Sequence, residues 1–189
     1  MKNLLGIVMC GGQSSRMGSD KGLLKTGDNV WAKVVANKLQ ELELQVVVSV
    51  NQGQVANYSN HFTLPELLVD KSCQGVEGPL RGLLSVHQQY STHDLLLIAC
   101  DMIDMETVTL QQLVKVYEQE PGFDFYVYQQ GQFAEPFGAI YTAAGLAAVM
   151  QQLEAGQLLK NSMRYVLDGG RTKRMPLLHQ KSFKNYNTL

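Results

Sequence analysis

The sequence predicts a three-layer α/β protein, in which a mostly parallel, Rossmann-like sheet has helices on both faces. Two observations support this fold class. Runs of aliphatic residues alternate with amphipathic stretches along most of the chain, as expected for a parallel sheet covered on both faces. A glycine-rich segment at 11–21 directly follows the first apolar run, and ligands of open α/β sheets bind where parallel strands end.

The first half of the chain alternates between strand and helix patterns. The apolar run 4–10 predicts the first strand, and the spacing of apolar residues predicts a helix over 30–43. Strands are predicted next at 45–50 and 67–69. After a loop at 71–79 and a further helix, a fully apolar strand ends at Asp101.

The second half continues the alternation. A helix is predicted at 106–119, with Asp104 as the residue that caps its N-terminus. The patterns that follow predict strands at 123–128, 138–141 and 172–175, and helices at 143–154 and 160–167.

Size and composition narrow the function. The 189 residues suit one domain over 1–189, and the net charge of −1 gives no bias toward nucleic acid. The apolar stretches are strand-sized, and no cleavable leader is evident, so we expect a cytoplasmic protein that contacts no membrane. The 3 cysteines have no metal-ligand spacing, and Cys10 and Cys100 are expected to be small buried residues.

The segment 11–21 has the composition of a phosphate cradle. Its glycines allow backbone N–H groups to turn toward an anion, and Arg16 and Lys21 add two cations. The P-loop pattern is absent because no Gly-Lys-Ser/Thr follows, and the dinucleotide fingerprint Gly-x-Gly-x-x-Gly is absent as well. The segment therefore predicts a nucleotide site of another kind.

Two acidic residues are expected on the same edge of the sheet. Asp70 and Asp101 each follow a predicted parallel strand, as does the loop beginning at Gly11. A carboxylate held at a strand end is a suitable Mg²⁺ ligand, because this ion needs only one or two carboxylates beside water and phosphate oxygens. Asp101 is the predicted metal ligand.

Together these residues resemble a known family. Gly-Gly-x-Ser-x-Arg-Met-Gly-x-Asp-Lys after an N-terminal strand is similar to the signature loop of nucleotidyltransferases related to molybdenum cofactor guanylyltransferase. The segment Gly78-Pro79-Leu80-Arg81-Gly82 and the final Asn185-Tyr186-Asn187-Thr188 are similar to further motifs of that family. The resemblance covers nearly the whole chain.

The resemblance implies transfer of GMP from Mg·GTP to the terminal phosphate of molybdopterin, with release of pyrophosphate. It implies catalytic roles for Arg16, Lys21 and Asp101, with Mg²⁺ on Asp101, and acceptor binding by Asn185 and Asn187. Transient contact with molybdoenzymes or other cofactor-synthesis proteins is also implied. The implied nucleotide-binding residues are Met9, Cys10, Gly11, Gly12, Lys21, Ser49, Asp70, Gly78, Pro79, Leu80 and Asp101.

Two departures leave the substrates open. Glu135 stands where relatives commonly have histidine, and its carboxylate would repel phosphate unless it faces a metal, pterin amino groups or a basic side chain. Ser49 and Val50 stand where a more polar strand end could contact the ribose. A cytidylyltransferase acting on the same or another small phosphate, and a non-catalytic nucleotide-binding cofactor carrier, are the alternatives. The pair Gly11-Gly12 favours guanylyl transfer over cytidylyl transfer.

Overall fold

A central sheet organises the computed structural model, which describes residues 3–11, 20–71, 75–184 and 186. Its strands are β1 (Leu4–Met9), β4 (Gln45–Val50), β5 (Leu67–Val69), β6 (Asp94–Ala99), β7 (Phe125–Gln130), β8 (Phe133–Ala134), β9 (Ala139–Tyr141) and β10 (Thr172–Pro176). Their order in the sheet is β10-β7-β9-β6-β1-β4-β5, with β8 paired to β7.

Most strand pairs of this sheet are parallel. The strand β1 runs parallel to both β4 and β6, β4 runs parallel to β5, and β10 runs parallel to β7. The short strand β9 is antiparallel to β6 and β7, and β8 is antiparallel to β7. The predicted mostly parallel sheet is confirmed.

Six helices cover the sheet in the described part of the chain: α1 (Trp31–Gln40), α2 (Val55–Tyr58), α3 (Pro79–Gln89), α4 (Thr107–Gln119), α5 (Ala143–Glu154) and α6 (Met163–Gly169). A two-stranded hairpin, β2 (Lys25–Thr26) with β3 (Asn29–Val30), precedes α1. None of these helices has both the length and the apolar composition needed to cross a bilayer.

Two hydrophobic cores lie on opposite faces of the sheet. Alternate residues of β1 point to opposite faces, so that Val8 packs with α1, α2 and α4, and Ile7 packs with α3, α5 and α6. Both Val8 and Ile7 are fully buried. The fully apolar runs of the sequence exist because each strand is covered on both faces.

The structure corrects several details of the prediction. The helix predicted over 30–43 ends at Gln40, and Glu43 beyond it has a φ of 59°, in the left-handed region that cannot continue a helix. The helix predicted over 160–167 begins only at Met163. The hairpin β2–β3 and the short helix α2 were not predicted, because two-residue strands and a single helical turn carry little periodic signal.

Candidate active site

The carboxyl ends of β1, β4, β5 and β6 form one rim of the sheet. Gly11 follows β1, Asp70 follows β5, and Asp101 follows β6. The strands β6 and β5 are separated by β1 and β4, so three strand spacings, about 14 Å, separate their ends. The expectation that these residues share an edge is confirmed.

Lys21 and Asp101 form an ion pair on this rim. Lys21 Nζ donates to Asp101 Oδ2 at 2.9 Å, and the two side chains are 17% and 12% exposed. Asp101 is fixed by the end of β6, while Lys21 opens a 3₁₀ helix at Lys21–Leu23. The pair places a cation and a carboxylate side by side at the predicted phosphate site.

Asp20 fixes the start of that 3₁₀ helix. Its Oδ1 accepts from Gly22 N at 3.0 Å and from the Tyr58 hydroxyl at 2.9 Å, and its Oδ2 accepts from Gln54 Nε2 at 2.7 Å. Tyr58 belongs to α2 and is fully buried. Lys21 is therefore anchored to the core through the residue that precedes it.

Gly11 and Asp70 are in close approach. A Cβ added to Gly11 would lie 2.3 Å from Asp70 Oδ2, so any larger residue would force this carboxylate to shift. The Asp70 Oδ1 accepts from the Ser49 hydroxyl at 2.5 Å. Ser49 is fully buried, so its side chain supports Asp70, and its predicted contact with the nucleotide stays a prediction.

The N–H groups at the end of β1 are already used. Cys10 N and Gly11 N both donate to Ser49 O, at 2.9 and 3.0 Å. The β1–β4 ladder continues past the last strand residue and engages the Gly11 N–H in this structure. The predicted cradling of phosphate by the glycine-rich segment stays a prediction. Gly12 and Arg16, the other predicted loop contacts, lie outside the described residues.

Two buried polar side-chain atoms next to the segment that begins at Gly11 have no hydrogen-bond partner in the described part of the chain. Asp70 Oδ2 and Arg81 Nε are buried and have no hydrogen-bond partner among the described residues. Burial raises the pKa of the Asp70 carboxyl, while the Ser49 hydrogen bond and the Arg81 charge lower it. A buried acceptor and a buried donor without partners indicate a place where a polar ligand fits.

The N-terminus of α3 borders the segment that begins at Gly11. Gly78 precedes it with φ 65° and ψ −150°, a conformation that is essentially restricted to glycine. Pro79 is the first helical residue and is exposed, whereas Leu80 is 1% exposed. Any contact that Leu80 makes with a nucleotide must therefore come from its backbone. The Met9 and Cys10 side chains, 5% and 7% exposed, are restricted in the same way.

The C-terminal segment reaches this rim at Tyr186. Its hydroxyl donates to Asp104 Oδ2 at 2.7 Å, and its ring centroid lies 5.7 Å from that of Trp31. The prediction that Asp104 caps the following helix is wrong, because that helix has Glu106 as its N-cap residue. Asn185 and Asn187, the predicted acceptor ligands, lie outside the described residues.

The thiols behind the rim are buried, as predicted. Cys10 and Cys100 are 7% and 8% exposed and are free cysteines. Burial raises the pKa of the Cys10 thiol, so that it stays protonated. In the described ranges no group of three or more His, Cys, Asp or Glu side chains could hold a metal ion.

The sheet and its rim define a class of protein, the α/β proteins that bind ligands at the carboxyl ends of parallel strands. A family model described as MobA-like NTP transferase domain matches residues 6–175. The chain belongs to this family and is a nucleotidyltransferase.

Individual relatives agree with this assignment. A molybdenum cofactor guanylyltransferase of Shewanella frigidimarina is 28% identical over 153 residues, which cover 80% of this chain and 75% of the relative. One of Serratia proteamaculans is 25% identical and covers 99% of this chain and 91% of the relative. The crystal structure of molybdopterin-guanine dinucleotide biosynthesis protein A from Archaeoglobus fulgidus has a TM-score of 0.77 at 19% identity, covering 98% and 92% of the two chains. This last similarity confirms the fold.

Sequence reasoning missed Gln54 and Tyr58, and it assigned no role to Asp20 and Arg81, which lie within the quoted motifs. Asp20 and Tyr58 are 38 positions apart, so no local pattern joins them. Arg81 did carry a signal, because a cation in the first turn of α3 opposes the helix dipole and such local conflicts concentrate at functional sites.

Proposed function

We propose that the protein transfers GMP from Mg·GTP to the terminal phosphate of molybdopterin, releasing pyrophosphate and forming the guanine dinucleotide of the cofactor. The observation that carries the proposal is the Lys21–Asp101 pair on the rim. It provides a cation for phosphate and a carboxylate for a metal at one point, on a chain whose relatives are named molybdenum cofactor guanylyltransferases.

Lys21 is the residue most directly concerned with the transferred group. Phosphoryl chemistry is catalysed mainly by positioning and by stabilising charge on phosphate oxygens. The acceptor is itself a phosphate, so the enzyme must overcome repulsion and has little need of a general base. In our proposal Lys21, together with Arg16, stabilises charge on the α-phosphate and on the departing pyrophosphate.

Asp101 fits the modest requirement of Mg²⁺ for protein ligands. The ion commonly takes one or two carboxylates and completes its shell with water and substrate phosphate. Asp101 is fixed by a strand end and faces a lysine that can move its charge onto phosphate. When bound, Mg²⁺ neutralises negative charge on the triphosphate. No wider carboxylate cage in the described residues would retain the ion without nucleotide.

Asp70, Gly78 and Arg81 are proposed to receive the nucleoside. Asp70 has an unsatisfied buried acceptor beside Gly11, and Arg81 has an unsatisfied buried donor. Ribose hydroxyls and the guanine edge both combine donors with acceptors, so either can satisfy the two atoms. The proposed pterin site lies toward Asn185 and Asn187. Tyr186 stands between them in the sequence and donates a hydrogen bond to Asp104 on the rim.

The test has two stages. Thermal denaturation with GTP, CTP and ATP, each with and without Mg²⁺, should show the largest stabilisation with Mg·GTP, because a ligand of the native state raises stability by mass action. With molybdopterin present, pyrophosphate release should then be fastest with GTP. Preferred stabilisation and turnover with CTP would favour a cytidylyltransferase, and binding without turnover would favour a cofactor carrier.

A further inference from the structure

The loop that carries Lys21 is held at both ends by one side chain. Gln54 Nε2 donates to Cys10 O at 3.1 Å and to Asp20 Oδ2 at 2.7 Å. Cys10 lies immediately after β1, and Asp20 immediately precedes the 3₁₀ helix of Lys21. The two hydrogens of one amide group therefore connect the beginning and the end of the segment 11–20.

The amide of Gln54 is itself oriented. Its Oε1 accepts from Asn51 N at 2.8 Å, in a capping box at the turn Gln52–Gln54. The oxygen is therefore fixed as the acceptor, and the nitrogen must face the loop. A glutamate at this position would keep the shape of the side chain but would offer only acceptors at neutral pH.

Tyr58 provides a second attachment for Asp20. Its hydroxyl donates to Asp20 Oδ1, and a Cβ on Gly22 would lie 2.0 Å from that hydroxyl oxygen. On either side of Lys21, the Asp20 side chain and the Gly22 backbone thus lie against the hydroxyl of a fully buried tyrosine. The ring is stacked on Phe62 with centroids 6.3 Å apart, which ties it to the core.

We infer that Gln54 and Tyr58 are positioning residues for the transfer reaction, which hold Asp20 so that Lys21 Nζ meets the phosphate beside Asp101. This inference rests on the proposed function. Neither side chain needs to touch substrate, because each acts through Asp20. Misplacing a catalytic group by about 1 Å can cost on the order of 10²-fold in rate, so the clamp formed by Gln54, Tyr58 and Asp20 should control turnover.

Two variants test the clamp, with one matched control. Tyr58→Phe removes a hydroxyl and keeps the ring, and Gln54→Glu replaces the donor amide. The control is Tyr126→Phe, because the Tyr126 hydroxyl also donates one part-buried hydrogen bond, to Glu120 O at 2.8 Å. Tyr126 lies in β7, toward the opposite end of the sheet from β4 and β5. We expect kcat for pyrophosphate release to fall about tenfold in Tyr58→Phe and about 10²-fold in Gln54→Glu, with KM for GTP changed less than threefold.

Two further readouts separate positioning from general stability. Combining Gln54→Glu with Lys21→Ala should give no loss beyond that of Lys21→Ala alone, since both act through the same group. Amide exchange at Gly22, Leu23 and Leu24, which can be measured without any substrate, should accelerate in both clamp variants and remain unchanged in Tyr126→Phe. Unchanged exchange together with kcat equal to that of the control would overturn the inference. An inactive wild-type protein would contradict the proposed function instead, while faster exchange in the variants would still support the clamp.

Discussion

Gly11→Ala is expected to displace Asp70, because the two residues compete for one space. The new Cβ would lie 2.3 Å from Asp70 Oδ2, whereas real Cβ contacts essentially never fall below 3.0 Å. The carboxylate must therefore retreat by about 0.7 Å or more, and the 2.5 Å hydrogen bond from Ser49 cannot follow it, since Ser49 is fully buried in β4.

The magnitude follows from that lost bond. A hydrogen bond to a charged group contributes about 1.5–3 kcal/mol. Each kcal/mol corresponds to about 2–4 °C in Tm for a chain of this size. We therefore expect Gly11→Ala to lower Tm by about 3–12 °C and to abolish stabilisation by Mg·GTP. Gly169→Ala is the control, because its Cβ would meet no atom within 4 Å.

A double-mutant cycle measured by thermal denaturation tests whether the clash with Asp70 causes the loss of stability in Gly11→Ala. In an Asp70→Ala background the clash is absent, so adding Gly11→Ala should cost little further stability. An equal loss of Tm in the wild-type and Asp70→Ala backgrounds would refute the reasoning, since it would show that Gly11 is required for another reason.

Two further predictions concern Asp70 and Arg81. Burial raises the pKa of the Asp70 carboxyl in the folded protein above its value in the unfolded chain. At pH values between these two pKa values the folded protein binds more protons than the unfolded chain. The Asp70 carboxyl therefore lowers the stability of the fold as pH rises. Asp70→Asn should therefore raise Tm at pH 7 more than at pH 4 while weakening Mg·GTP binding, and a lower Tm at pH 7 would contradict the role of burial. Arg81→Met should raise KM for GTP at least fivefold while Arg81→Lys retains most of the affinity, in steady-state assays; equal KM values in both variants and wild type would exclude Arg81 from the nucleotide site.

The sheet was predictable because its strands are buried on both faces. The predicted strands at 45–50 and 67–69 and the helix at 143–154 match the structure residue for residue. Apolar runs bounded by polar residues specify such elements locally. The ends of α1 and α6 were less predictable, because turns set by a single backbone conformation, such as Glu43, leave no periodic signal.

The site was predictable only where strand ends fix it. Asp70, Asp101 and Gly11 follow strands, so topology alone brought them to one rim. The use of Gly11 N by Ser49 O and the bonds of Asp20 to Gln54 and Tyr58 depend on tertiary contacts between distant segments. The same holds for Asp104, whose carboxylate binds a tyrosine 82 positions away and does not cap a helix.

The central claim is that Lys21 beside Asp101 serves the transfer of a nucleotide to a phosphate acceptor. The most direct measurement is pyrophosphate release from Mg·GTP with molybdopterin, comparing wild type with Lys21→Ala. We expect release in the wild type, dependent on both substrates, and a loss of at least 10²-fold in kcat for Lys21→Ala with its fold intact by circular dichroism. Near-normal turnover of Lys21→Ala would contradict the account.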